Sequence, residues 1–166
     1  IIIGAGVVGL ASGYYLSKAG LKVIILEKEK NYGFATSSRS TEVIHSGAYY
    51  KKDSHKGKLC LTGKRLLYEY CLVNNIPHKK VPKLFLAQDE KSTENLLRIQ
   101  KLSEENGLND TQIINSNEIK KLEPLIKGYK ALLSPSSGIF DTSSFMHSLA
   151  RKCEDNGVII ALNSEF

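Results

Sequence analysis

Ile1-Ile2-Ile3-Gly4-Ala5-Gly6-Val7-Val8-Gly9 opens the chain, and its reading decides the fold. Three branched apolar residues read as a short buried strand, and Val8 to Ala19 reads as a helix closed by Gly20, a residue suited to the left-handed turn that ends helices. A second apolar run, Val23-Ile24-Ile25-Leu26, ends at Glu27. Strand, glycine turn, helix and strand in succession make a βαβ unit, with parallel strands and a right-handed crossover. Residues 1–17 carry no charge, yet Gly4, Gly6, Gly9 and Gly13 make this stretch a poor membrane-spanning helix.

The same residues carry chemistry. Gly4 permits the tight turn, Gly6 lets backbone approach a pyrophosphate with no side chain in the way, and Gly9 allows the helix to pack closely on the strand. The first helical turn, with Val7 and Val8, offers unpaired N–H groups and a partial positive charge to phosphate oxygens. Glu27, at the end of the second strand and followed by Lys28, is placed to accept hydrogen bonds from ribose hydroxyls. A carboxylate there disfavours a 2′-phosphate, so NADP is the least expected dinucleotide. FAD and NAD share the adenosine half-site, and this stretch does not separate them.

Farther along, Ser54 to Asn74 reads as a helix with a buried stripe of Leu59, Gly63, Leu66, Tyr70 and Val73. Lys83 to Ala87 reads as a strand, and Thr93 to Asn106 as a helix ended by Gly107. Asn115 and Glu118 look like a capping pair for a short helix that Pro124 stops. Strand signals return at Ala131–Leu133 and Ile139–Phe140; Asp141 then caps a last helix, and Gly157 leads into a strand over Val158–Leu162. The expected architecture is α/β: a partial Rossmann-type dinucleotide-binding domain interleaved with a mixed α/β region that has no glycine fingerprint.

Composition sets bounds. With 166 residues, 42% apolar and 24% charged, 13 Gly and 4 Pro, the chain is an ordinary globular sequence, which excludes disorder and collagen-like repeats. Cys60, Cys71 and Cys153 form no C-x-x-C pair, so a disulfide framework or zinc ribbon is not expected and a reducing, cytoplasmic setting is the easier reading. His55, His78 and His147 lack metal-ligand spacing, so no metal site is expected. The net charge of +6 is concentrated in residues 51–83, where nine Lys or Arg face only Asp53 and Glu69. Such a stretch is either a solvated helix face with a loop, or an attractor for an anionic substrate, cofactor phosphates or an anionic membrane surface. Nucleic acid is not an expected partner, because the basic residues have no aromatic interleaving of a recognised kind.

The segment Ala35-Thr36-Ser37-Ser38-Arg39-Ser40-Thr41-Glu42-Val43-Ile44-His45-Ser46-Gly47 packs small hydroxyls around one arginine, suited to a second phosphate contact and a flavin edge. Together with the glycine fingerprint, Leu26-Glu27-Lys28-Glu29, Val43 to Tyr50, Ser54 to Cys60, Leu66 to Cys71, Leu122-Glu123-Pro124 and Ser137 to Asp141, it resembles the D-amino-acid oxidase superfamily of FAD-dependent oxidoreductases. Within that superfamily the sequence is most similar to the L-2-hydroxyglutarate dehydrogenase/oxidase branch. It departs from the branch at Arg39, Ser40 and Glu42, where histidine, asparagine and glycine are usual, and at Val81-Pro82-Lys83-Leu84, where the pattern is Cys-Gly-Lys-Leu.

The resemblance implies a chain cut from a protein more than twice as long, with residues 1–78 as part of the FAD-binding domain, 79–140 as part of the substrate-binding region and 141–166 returning to the FAD domain. It implies hydride transfer from the Cα–H of a small 2-hydroxy acid, foremost L-2-hydroxyglutarate, to flavin N5, with oxygen or a quinone as electron acceptor. The cofactor contacts it implies are Gly4, Gly6, Val7, Val8, Gly9, Glu27, Lys28, Thr36, Ser37, Ser38, Arg39 and His45. His45 is also the candidate catalytic group, hydrogen-bonding substrate or taking its hydroxyl proton; its rival role is structural, fixing the Tyr49-Tyr50 loop. Lys56 and Lys58 are candidates to attract a dicarboxylate. Oxidation of an amine, an amino acid or glycerol 3-phosphate on the same fold, and a nicotinamide-binding module without flavin, remain alternatives. Peripheral attachment to an inner membrane, mitochondrial in a eukaryote, is the corresponding expectation for location.

Overall fold

The computed structural model describes all 166 residues. In chain order its elements are β1 (Ile2–Ile3), α1 (Val7–Lys18), β2 (Ile24–Leu26), a 3-10 turn (Thr36–Arg39), β3 (Val43–Ile44), α2 (His55–Val73), β4 (His78–Lys80) and β5 (Lys83–Ala87). They continue with α3 (Glu90–Glu105), β6 (Gln112–Asn115), α4 (Ser116–Leu122), β7 (Lys130–Ser134), β8 (Gly138–Phe140), α5 (Thr142–Asp155) and β9 (Ile159–Ala161). Contacts divide the chain into two compact units, one of Ile1–Glu42, Val73–Pro77 and Phe140–Phe166, the other of Val43–Leu72 and His78–Ile139. Against the expected bounds, Val43–Leu72 groups with 78–139 rather than with the glycine turn, and His78 and Phe140 at the two junctions also change sides. The physical reason is local bonding, since Asn106 Nδ2 donates to Tyr50 O at 2.8 Å and Lys64 Nζ to Ser136 Oγ at 2.7 Å.

In the first unit β1, β2 and β9 form a parallel sheet in the order β1-β2-β9, with Ile2 opposite Ile25 and Ile25 opposite Ile160. Helix α1 lies against both this sheet and α5 at Gly13. A Cβ added at Gly13 would sit 2.7 Å from Ile25 Cδ1 and 3.4 Å from Cys153 Sγ, so only glycine lets the helix this close. Leu10, Ile25, Leu149 and Cys153 are buried at this junction, and the Cys153 thiol donates to Leu10 O at 3.3 Å. The helix end at Gly20 is a Schellman arrangement: Leu21 N–H donates to Leu16 O at 3.1 Å and Gly20 N–H to Ser17 O at 2.9 Å. The ends at Gly107 and Gly157 repeat it.

The second unit holds an antiparallel sheet in the order β5-β7-β6, with Phe85 opposite Leu132 and Ile113 opposite Leu132 on the other side. One face buries Ala87, Leu96 and Leu132 under α3, and the other buries Ile114, Ile119 and Ala131 under α4. A smaller sheet runs β3-β8-β4. Strands β3, β4 and β6 have no expectation behind them, because two to four residues give no alternation long enough to read, and β4 and β6 also carry polar or charged members. Helix α3 starts three residues earlier than its periodicity implies. Asp89 accepts from Ser92 N–H at 2.7 Å while Ser92 Oγ accepts from Asp89 N–H at 3.1 Å, a capping box with serine in the place usually held by Glu or Gln.

Helix α2 corrects the expected stripe. Leu59 is 66% exposed, Leu66 45% and Val73 78%, whereas Gly57 and Cys71 are buried and Cys60, Leu61, Lys64 and Tyr68 half-buried. Apolar residues line both sides of this helix. The side that packs is the one carrying Gly57, Lys64 and Tyr68: a Cβ at Gly57 would sit 2.8 Å from Lys51 O, and Lys64 and Tyr68 both bond Ser136.

Candidate functional site

The glycine turn is held by a carboxylate. Gly4, at φ 91°, takes a conformation that favours glycine, and its N–H donates to Leu26 O at 2.7 Å. Ala5 N–H donates to Glu27 Oε2 at 2.7 Å, and Glu29 N–H to Glu27 Oε1 at 3.0 Å. Glu27 is therefore buried and already bonded twice, with the second lone pair of each oxygen still free to accept. A Cβ at Gly9 would overlap the Gly4 carbonyl oxygen, so the third glycine sets how closely α1 meets the turn.

Helix α1 begins without a cap of its own. Gly6, the N-cap residue, has no side chain, and Val7 N–H donates instead to Ser37 Oγ at 3.0 Å, across 30 residues of sequence. Leu10 N–H is the first to bond within the helix, to Gly6 O at 2.9 Å. A residue that sequence reasoning missed brings Ser37 there. Gly33, at φ 75°, donates its N–H to Ala5 O at 3.0 Å and accepts from Ser38 N–H at 3.0 Å, folding the loop after β2 back over the turn. Met146 fills the space a side chain at Gly33 would need, at 2.6 Å from the Cβ position. The signal was present as a glycine between Tyr32 and Phe34, but its partners lie 28 and 113 residues away.

Together these residues wall a cavity of about 510 Å³. Gly4, Gly6, Glu27, Lys28, Thr36 and Ser37 line it, with Ser164 to Phe166 added by the segment after β9. That segment is placed by Ser164 N–H donating to Glu27 O at 2.8 Å. Val7, Val8 and Gly9 do not line it: Val7 and Val8, at the start of α1, line a different cavity with Ala11, Ser12, Tyr15 and Leu16. Ser38 lines a different cavity, and Arg39 is exposed on the 3-10 turn. Ser40 and Glu42 have local work: Ser40 Oγ lies 3.2 Å from Thr142 Oγ1, and Glu42 Oε1 accepts from Thr142 N–H at 3.2 Å at the start of α5.

His45 belongs to the second unit, directly after β3, and is half-buried. Cys60 Sγ donates to its carbonyl at 3.4 Å. Burial, with the Lys83 charge adding to it, holds the imidazole below its usual pKa and favours the neutral ring at neutral pH. Of the expected dicarboxylate attractors, Lys58 forms an exposed ion pair with Asp53 at 3.5 Å, and Lys56 sits over the Tyr50 ring at 5.9 Å.

The family model for FAD dependent oxidoreductases of the D-amino-acid oxidase type matches residues 1–166. The chain belongs to this family. Among curated proteins it is 44% identical over 155 residues to a mitochondrial L-2-hydroxyglutarate dehydrogenase of Arabidopsis thaliana, covering 93% of this chain and 32% of that protein. It is 36% identical over 167 residues to the human enzyme of the same name, covering 99% of this chain and 36% of that one. The chain thus spans about a third of the length of these relatives. Among solved structures, L-alpha-glycerophosphate oxidase of Mycoplasma pneumoniae with FAD bound matches with a TM-score of 0.93 at 30% identity, over 99% of this chain and 44% of that one. Glycine oxidase of Geobacillus kaustophilus, at 22% identity and a TM-score of 0.87 over 99% of this chain and 46% of that one, shares the fold.

The family cofactor is FAD, and the cavity walls suit its adenosine and pyrophosphate. The turn backbone at Gly6 is bare, with Ser37 Oγ 3.0 Å from where a Cβ would stand. Ser37 accepts from Val7, which leaves its own O–H to donate. Glu27 has lone pairs left for ribose hydroxyls. No helix is long and apolar enough to cross a membrane.

Proposed function

We propose that this chain is the FAD-binding front part of an enzyme that oxidises a small 2-hydroxy acid, foremost L-2-hydroxyglutarate, to the 2-oxo acid. The observation that carries the reading is the similarity to L-2-hydroxyglutarate dehydrogenases along nearly the whole chain. In this reading residues 1–42 with 140–166 hold FAD, and the sheet of β5, β7 and β6 belongs to the substrate-binding part.

When bound, FAD supplies the redox chemistry, accepting at N5 the hydride that leaves the substrate Cα. The protein's residues supply position and proton handling. Gly4, Gly6 and the start of α1 at Val7, Val8 and Gly9 receive the pyrophosphate, with the Ser37 and Thr36 hydroxyls and Lys28 on the same wall. Glu27 accepts from ribose while holding the turn. Arg39 supplies fixed positive charge on the 3-10 turn, next to Ser38. His45, neutral at physiological pH, takes the substrate hydroxyl proton as the carbonyl forms and releases it afterwards. A second reading, oxidation of glycerol 3-phosphate, is favoured by the likeness to L-alpha-glycerophosphate oxidase.

Anaerobic mixing of the complete flavoprotein with L-2-hydroxyglutarate, lactate, glycine, sarcosine and glycerol 3-phosphate, following loss of flavin absorbance, tests the reading. Bleaching by L-2-hydroxyglutarate is expected at the lowest concentration; bleaching by glycerol 3-phosphate or an amine alone replaces the reading with the corresponding alternative.

A further inference from the structure

The second unit contains a cation that none of the roles above uses. Lys83 opens β5, an edge strand of its sheet, where its Cα is fixed opposite Ser134. Its side chain is half-buried, with Nζ 4.9 Å from the centre of the Phe85 ring and 5.4 Å from that of Tyr49. Those two rings meet edge-on at 5.7 Å and 70°, forming a corner for the ammonium. Aromatic faces attract a cation but leave its charge uncompensated. The ion pairs of the molecule are Lys58 with Asp53 and Arg65 with Glu69, so Lys83 has no carboxylate of its own. Its charge is close enough to His45 to oppose protonation of the imidazole.

We infer that Lys83 is the specificity-determining cation of the substrate site, its aromatic-backed ammonium receiving a carboxylate of the anionic substrate beside His45. The inference rests on the oxidase reading above and deepens it. A half-buried, strand-borne lysine already held against two rings loses less motion on pairing than Lys56 or Lys58, which are exposed on α2.

Pairing also prepares His45. Lys83 from β5 is the charge that acts on the imidazole, and Cys60 from α2 bonds the His45 carbonyl; Tyr49 and Tyr50 follow in the loop, Tyr50 next to Cys60 and under Lys56, and Lys64 acts on Cys60 with Asp110 and Lys80 acting on Lys64. Before substrate binds, Lys83 disfavours the imidazolium. A carboxylate on Lys83 cancels that field, so the imidazole gains basicity when there is a hydroxyl proton to take. The proton moves from the substrate oxygen to an imidazole nitrogen as the C=O bond forms, and a bound FAD would take the Cα hydrogen together with its electron pair.

The test uses the complete FAD-loaded protein with Lys83→Met and Lys83→Arg, and glutarate as an unreactive dicarboxylate. Calorimetry should show glutarate binding weakened at least tenfold in Lys83→Met and largely kept in Lys83→Arg. NMR titration of the histidine ring without ligand should show the His45 pKa raised in Lys83→Met, and the acid limb of kcat/KM should move to higher pH with it. Equal glutarate affinity in wild type and Lys83→Met overturns the inference and leaves Lys83 as packing for Tyr49 and Phe85, even where L-2-hydroxyglutarate still bleaches the flavin. Lys83-dependent glutarate binding without bleaching by any 2-hydroxy acid keeps the inference and removes the oxidase reading. If neither glutarate nor any 2-hydroxy acid acts on the wild type, both fail. Should Lys83→Met lose FAD, Lys83→Gln carries the same comparison.

Discussion

Glu27 holds the glycine turn, and in the proposed reading it also accepts from ribose. Its position at a strand end suggested the ribose contact, but its bonds to Ala5 and Glu29 were not legible, because the first joins residues 22 apart. In Glu27→Gln the amide offers one acceptor oxygen where two N–H groups now point, so one buried donor faces an NH2. We expect a loss of about 1 to 3 kcal/mol in stability even without FAD, and weaker FAD binding on top; thermal unfolding of apo and FAD-loaded protein checks both, and an unchanged apo melting temperature would show that the turn does not depend on the carboxylate. Gly6→Val separates the cofactor from the fold. Its branched side chain pushes into Ser37 Oγ, 3.0 Å from the Cβ position, and into the cavity, so the purified protein should lose its flavin absorbance. A flavin content equal to wild type contradicts the pyrophosphate role.

At the scale of elements, local rules worked where the deciding contacts were local. The Asn115 and Glu118 capping box and the Asp141 cap lie where the sequence placed them, because each bond spans three residues. The buried face of α2 was misassigned, because leucines occur on both sides and the packing side is chosen by Gly57 and by Tyr68 and Lys64 reaching residue 136. The Asp141 cap has a pH signature. Ser144 N–H donates to its carboxylate at 2.8 Å and the Ser144 hydroxyl at 3.0 Å, and the backbone bond is the main reason its pKa lies below the usual carboxylate value. A folded-state pKa below the unfolded one adds stability above the unfolded value, near 4, and that stability is lost as pH falls through the folded value. Asp141→Ala should therefore cost about 1 kcal/mol at pH 7, and the difference in melting temperature from wild type should narrow toward pH 3. A difference that persists undiminished in acid would assign the cap to packing rather than to the ionised carboxylate.

The charge of the whole molecule divides as unevenly as its sequence implied. All nine basic residues of 51–83 lie in the unit of Val43–Leu72 and His78–Ile139, which also holds His45 and Lys83. Most of them sit on exposed surface, where pairwise bonds contribute little, but a one-sided field acts at a distance on whatever approaches. Its reach is set by salt: the screening length falls from about 30 Å at 0.01 M to about 8 Å at 0.15 M. For the complete enzyme, kcat/KM for a dianion such as L-2-hydroxyglutarate should fall several-fold across that range, and fall less for the monoanion lactate, while kcat changes little because the bound substrate is no longer steered. Stopped-flow flavin reduction at varied salt separates these quantities. Lys83→Met should lower kcat/KM at every salt concentration with a similar slope, since one residue at the site sets affinity and the remaining eight set the approach. A rate indifferent to salt for both substrates would reduce the stretch to a solvated surface and leave Lys83 as its one functional member.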